Sequence, residues 1–209
     1  SLAKSYNCGN MIILADGGST YRKNIYPEYK RNRKDKYDTQ TETEKKEFEQ
    51  FLGEFANAFK KLKSKGYMVL KNKGLEADDL AAWIVGKKEE FGIGDIWLIS
   101  SDKDWDLLIK DGVSRFSTVT RKEITIDNWE EHYDVEPDKY LTLKCLAGDT
   151  GDNIPGIAGI GPKRAVSLIN DYGDLYDIYD SCPIDSKYKF IQSLNENADR
   201  LLLNAELMD

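Results

Sequence analysis

Residues Met11–Gly18 read MIILADGG: five apolar side chains in a row, then Asp16 and two glycines. A continuous apolar run of that length, stopped by a turn signal, reads as a strand buried on both faces. Ile96–Ser100 (IWLIS) repeats the pattern and runs into Asp102 and Asp104, while Tyr67–Leu70 supplies a short strand between the two. Helical periodicity fills the intervals. Thr41 and Glu44 stand at capping-box spacing, and Phe48, Phe51, Leu52, Phe55, Phe59 and Leu62 follow at helical intervals down to Gly66. Leu75–Lys88 is a second helix. Buried strands alternating with helices predict an α/β fold with a mainly parallel central sheet.

Further along, Val113–Ser117 and Glu123–Ile126 flank Thr120-Arg121-Lys122 and suggest a hairpin or an edge strand. Pro137 opens a helix through Leu146. Glycine-rich GDTGDNIPGIAGIGPKRA (Gly148–Ala165) comes next, and then helices at Ala165–Asn170, Leu175–Tyr179 and Lys187–Leu203. The last third therefore reads as a helical module. Residues Ser1–Tyr6 resemble the end of a helix and Leu201–Asp209 runs helically to the last residue, so the chain is expected to be a fragment or a trimmed form.

Composition narrows the classes. The 209 residues are 40% hydrophobic and 32% charged, enough for a core under a dense charged surface. Thirty basic against 37 acidic residues leave −7, which excludes a uniformly basic DNA-coating protein. Cys8, Cys145 and Cys182 lie far apart without CxxC spacing, against a disulfide scaffold or zinc ribbon and in favour of a reducing compartment. His132 is the only histidine, so zinc sites needing several drop out; it is expected at the surface, and Cys145 in the core. No apolar run suits a membrane span, and a cytoplasmic location is expected.

The acids gather where elements end. Asp16 closes the first strand, Glu76, Asp78 and Asp79 lie in GLEADDLAAW, Asp102 and Asp104 in ISSDKDWD, and Asp149 and Asp152 in AGDTGDN. In an open α/β sheet ligands bind beyond the carboxyl ends of strands. Clustered carboxylates stay ionised only beside cations, and oxygen-only donors select Mg²⁺ or Mn²⁺. Two such ions would suit a phosphodiester displacement. The plain alternative is that these acids are surface charges and helix caps.

GIAGIGPKRA (Gly156–Ala165) has the helix–hairpin–helix pattern. Gly159 and Gly161 allow a tight hairpin, Pro162 suits the first turn of a helix, and Lys163 and Arg164 stand beside open backbone N–H groups. That is a sequence-independent grip on DNA phosphates, unless the turn is purely structural. Tyr21–Tyr37 (YRKNIYPEYKRNRKDKY) carries seven Lys or Arg against two acids, with four tyrosines interleaved. It offers charge for phosphates and rings for unpaired bases, or is simply a solvated basic loop.

In this order, ADGGSTYRKNIYPEYKRNR, GLEADDLAAW, ISSDKDWDLL and GDTGDNIPGIAGIGPKRA resemble the flap endonucleases, or 5′ nucleases, over essentially the whole chain, with spelling closest to phage-encoded enzymes. The resemblance implies a PIN-like α/β nuclease domain over residues 1–135, with a helical arch at about 21–47. A helix–three-turn–helix DNA-binding module would occupy residues 136–209. It implies Asp16, Glu76, Asp78 and Asp79 as ligands of one metal, and Asp102, Asp104, Asp149 and Asp152 as ligands of a second. Lys30 and Arg33 would engage the scissile phosphate, and Tyr29 would stack on a base. Gly156, Gly159, Gly161, Lys163 and Arg164 would hold duplex DNA, with K⁺ at the hairpin backbone. The activity implied is that of a 5′-flap endonuclease and 5′-3′ exonuclease, a two-metal hydrolysis of branched DNA carrying a 5′ single strand and of free 5′ ends, by a monomer, leaving 5′-phosphate and 3′-hydroxyl ends. One departure stands out: the family's first strand, with its aspartate in a D-G-x-x pattern, has no counterpart before Asp16, and a sheet lacking it would expose apolar surface.

Two other readings remain at this point. A junction-binding protein that does not cut would share the hairpin, and a PIN-like RNase would share the acids but lack the hairpin. The arch segment Pro27–Tyr37, with little apolar surface to hold it, is expected to be mobile alone and helical over a 5′ strand.

Overall fold

The computed structural model describes residues 2–209; of the helical reading over residues 1–6, residue 1 lies outside them, and Leu2–Ser5 forms α1. Its contacts divide the chain into two units, 1–92 and 93–209.

In the first unit β1 (Ile12–Ala15) leads to α2 (Thr20–Ile25), α3 (Arg31–Asp38), α4 (Glu42–Ser64), β2 (Met68–Lys71) and α5 (Ala77–Gly86). β1 and β2 pair in parallel, Ile12 opposite Met68 and Ala15 opposite Lys71. The burial expected of MIILA holds only at its end: Ala15 is buried, whereas Met11 and Ile12 are exposed. Two strands cover little of each other's faces, so the leading half of the run stays in solvent. Gly17 follows the strand because nothing larger fits: a Cβ there would lie 1.6 Å from the Asn72 carbonyl oxygen. That close approach lets the Gly17 amide donate to the Leu75 carbonyl at 2.7 Å and the Gly17 carbonyl accept the Gly74 amide at 2.9 Å, which brings the loop before α5 against the end of β1.

α4 starts where its sequence says. The Thr41 side chain accepts from the Glu44 amide, and Glu44 accepts from the Thr41 amide at 2.8 Å. Gly66, at φ 86°, lies just beyond the helix. The phenylalanines of α4 follow one another along one face, Phe48, Phe51 and Phe55 stacked and Phe59 edge-on to Phe55, and none of the helix's side chains is buried.

The second unit has β3 (Ile96–Ile99), β4 (Val113–Phe116) and β5 (Glu123–Ile124), then α6 (Tyr140–Ala147), β6 (Gly148–Asp149), β7 (Ile154–Pro155), α7 (Pro162–Tyr172), α8 (Leu175–Ser181), α9 (Lys189–Glu196) and α10 (Asp199–Met208). β4 is central, parallel to β3 and antiparallel to β5. Among the described residues the fold is α/β with parallel pairings as expected, its strands forming small sheets of two or three.

Helices form the second unit's core. Cys145, Leu146, Ala165, Ile178, Leu194 and Leu201 are fully buried there, Cys145 as packing rather than chemistry. Asn204 ties α10 to this core by donating to the carbonyls of Cys145 and Pro155, each at 2.9 Å. The single helix expected over Lys187–Leu203 is broken between α9 and α10, where the Asn197 amide bonds back to Leu194. Among the described residues no helix is long and apolar enough to cross a membrane.

Candidate active site and nucleic-acid interface

In the first unit the turn into α5 gathers the acids. Asp16 Oδ1 accepts the Ala77 amide at 2.8 Å, so the end of β1 caps the start of the helix. Asp79 Oδ2 accepts the Glu76 amide at 2.7 Å. Glu76, buried, accepts from the Tyr29 hydroxyl at 2.7 Å and from Lys30 Nζ. Arg22 Nη1 lies 2.6 Å from Asp79 and 3.7 Å from Glu76. Asp78 stands next to this group. Burial first, and then the nearby Glu76 carboxylate, push its pKa up to about 6 against the pull of Lys30.

Tyr29 is therefore not the exposed stacking ring expected of it. It is 2% exposed, and its hydroxyl is spent on Glu76. The expectation that little holds the basic segment also changes. Tyr29, Lys30 and Arg22 anchor it at its start, and α3 is helical as it stands. Lys30 precedes α3 at φ 55°, a backbone region costly for a non-glycine residue. Arg33 is exposed on the first turn of α3.

In the second unit β3 ends at a 3-10 turn, Lys103–Leu108. Asp102, exposed, caps it by accepting the Asp104 amide at 3.0 Å. Lys144, from α6, reaches Asp104 at 2.5 Å and Asp149 at 2.9 Å. Burial would lower the Lys144 ammonium, but the two carboxylates outweigh it and hold its pKa above the usual lysine range. The two acids respond oppositely. Burial, reinforced by Asp102 and Asp149, leaves Asp104 above the ordinary aspartate range despite Lys144. For Asp149 the upward push of burial is overcome by Lys144 and by the Asp152 and Gly151 amides, which hold it below. Asp152 is buried and bonds to Asp149 through its own amide.

Among the described residues, no three carboxylates converge in the closed arrangement of a metal cage. The acids pair around lysine and arginine side chains instead, because like charges in one place demand a cation. Lys144 is held by Asp104 and Asp149 as a metal ion would be. A donor set of one or two carboxylates open to water suits Mg²⁺, which keeps part of its hydration shell. The residues therefore fit a hard divalent ion.

The hairpin is built by close backbone approach. A Cβ on Gly156 would come 2.3 Å from the Ala147 carbonyl carbon, so this glycine packs α6 against the hairpin rather than presenting itself to a ligand. Gly159 turns the chain at φ 80°, Gly161 precedes α7, and Pro162 occupies the first turn. Lys163 is exposed. Arg164 donates to the Gly159 carbonyl at 2.5 Å and lies over the Phe190 ring, so it braces the hairpin and takes an acceptor that a monovalent cation would use.

Sequence reading missed Arg22, Lys144 and the Asp106–Arg115 pair. Arg22 was visible only as one basic residue among seven, and Lys144 only as a lone cation in an apolar helix.

The N-terminal resolvase-like domain of 5′-3′ exonucleases matches residues 1–134, and their C-terminal SAM-fold domain matches residues 135–209. The chain is 43% identical to the flap endonuclease of Escherichia phage T5, covering 100% of this chain and 72% of that one. The solved structure of the T5 D15 protein co-crystallised with metal ions matches with a TM-score of 0.94 at 42% identity, over 100% of this chain and 78% of that one. A pseudo-enzyme-product complex of the T5 D15 flap endonuclease with DNA and metal ions matches at 0.93 and 41%, over 100% and 76%.

Proposed function

The chain belongs to the 5′-3′ exonuclease family, and from that premise we propose how its residues bind and cut a 5′ strand. The protein is a divalent-metal-dependent, structure-specific 5′ nuclease. Its substrate in this reading is branched DNA with a 5′ single strand, hydrolysed by a monomer in the cytoplasm to 5′-phosphate and 3′-hydroxyl ends. Residues 1–135 form the nuclease domain and 136–209 the duplex-binding module.

The observation that carries the reading is the holding of Lys144 by Asp104 and Asp149, an all-oxygen seat already shaped around a cation. Asp16, Glu76, Asp78 and Asp79 would hold one Mg²⁺ or Mn²⁺, and Asp102, Asp104, Asp149 and Asp152 a second. Bound there, such ions supply charge neutralisation at the phosphate and a nucleophile at neutral pH. The protein's own groups position the strand. Lys30 and Arg33 neutralise the scissile phosphate, for which Lys30 exchanges its Glu76 partner for a phosphate oxygen. Tyr29 keeps Glu76 oriented through that exchange. Lys163 and the Gly159–Gly161 backbone grip duplex phosphates without reading sequence. K⁺ at that backbone belongs to the same reading and competes with Arg164 for the Gly159 carbonyl.

Cleavage of a 5′-flap oligonucleotide in Mg²⁺ by the Asp102→Asn protein tests this. Turnover should vanish while flap binding in Ca²⁺ persists. Wild-type turnover in that variant overturns the assignment.

A further inference from the structure

Asp102 and Asp104 sit on a short segment that runs from the end of β3 into the single 3-10 turn Lys103–Leu108, too short an element to fix a ligand pair's spacing by itself. Arg115 lies beneath that segment, in the middle of β4, 3% exposed. Its Nη1 donates to the Ser100 carbonyl at 2.9 Å, immediately before the segment. Its Nε and Nη2 donate to the two oxygens of Asp106 at 2.5 and 2.8 Å, immediately after it. Asp106 is itself buried and accepts a further bond from the Tyr133 hydroxyl. Inside this clasp the bonds continue: the Asp102 amide donates to Ser100 Oγ at 3.1 Å, and the Asp104 amide to Asp102 Oδ1 at 3.0 Å.

We propose that Arg115 is a positioning residue that sets the spacing of Asp102 and Asp104 by clamping both ends of the segment carrying them. The inference rests on the reading of those aspartates as metal ligands. One planar guanidinium reaches both ends because its donors point in fixed, divergent directions. A lysine at the same place has one compact ammonium and can serve one end only. An ion pair this buried need not stabilise the fold over an apolar pair of similar volume, whereas partners that orient metal ligands typically govern affinity about 10–100-fold.

The test uses Arg115→Lys, the double variant Arg115→Met/Asp106→Leu, which leaves no buried carboxylate unpaired, and Asp104→Asn as the reference. Calorimetric titration of Mn²⁺ into DNA-free protein should lose one binding event in Asp104→Asn. In both Arg115 variants the same event should weaken about 10–100-fold, with faster amide exchange over residues 101–105. On a 5′-flap oligonucleotide kcat should fall with little change in KM, and added Mn²⁺ should restore kcat in Arg115→Lys. A purely structural role would not respond to the ion. If Asp104→Asn loses the event while both Arg115 variants bind Mn²⁺ as wild type does, the positioning role is wrong and the ligand assignment stands. If Asp104→Asn binds as wild type does, both fall together.

Discussion

Replacing Asp78 by Asn should make the metal-free protein more stable at pH 8, although Asp78 belongs to the proposed metal site. In the fold its carboxyl is pushed from 3.8 up to about 6, by burial and then by Glu76. A group whose pKa rises on folding favours the fold below its unfolded pKa and loses that contribution as pH climbs through the folded value. Ionised Asp78 therefore burdens the native state fully above about pH 6 and not at all below about pH 4. At about 1.4 kcal/mol per pH unit the ceiling is roughly 3 kcal/mol. Solvent screening of a carboxyl that is only partly buried brings this to about 1–2 kcal/mol. For a chain of this size that corresponds to a thermal midpoint roughly 2–8 °C higher. Circular dichroism melts in chelator at pH 8 and pH 4 measure it: the gain should be present at the first and absent at the second. Saturating Mg²⁺ should then reverse the order at pH 8, since only the wild type keeps the full carboxylate set to bind it. Equal midpoints at pH 8 in chelator, or a gain that persists at pH 4, would refute the argument.

Three other outcomes follow from single contacts. Gly156→Ala places a Cβ 2.3 Å from the Ala147 carbonyl carbon, and the backbone shift it forces should cost about 2 kcal/mol in urea unfolding while weakening duplex retention. Thr41→Ala removes one half of the α4 capping box, worth about 1 kcal/mol locally. Because α4 buries no side chain, the loss should show as faster amide exchange over residues 42–46 rather than as a lower global midpoint. Lys163→Ala should reduce the slope of log affinity against log salt for duplex DNA by about 1, uniformly across sequences. A base preference that changed with this substitution would argue against a backbone grip.

Local order was legible from residues alone wherever neighbours in sequence decide it. The Thr41–Glu44 box, the close of α4 before Gly66 and the Pro162 start of α7 all depend on contacts within a few residues. The four acidic motifs likewise pointed to a hard-metal chemistry, because oxygen-only donors are a property of composition and spacing, and it was their order with the glycine-rich hairpin that carried the resemblance to 5′ nucleases. What the tertiary structure alone decided is partnership. Nothing near Tyr29 in sequence says that its hydroxyl will meet Glu76, nor that Lys144 will stand between Asp104 and Asp149. Arg115 reads as an ordinary charge on a strand until β4 is laid beside β3 and the turn that follows it. A buried charge must find its counter-charge wherever the chain brings one within reach, and that distance is set by packing, not by spacing along the sequence.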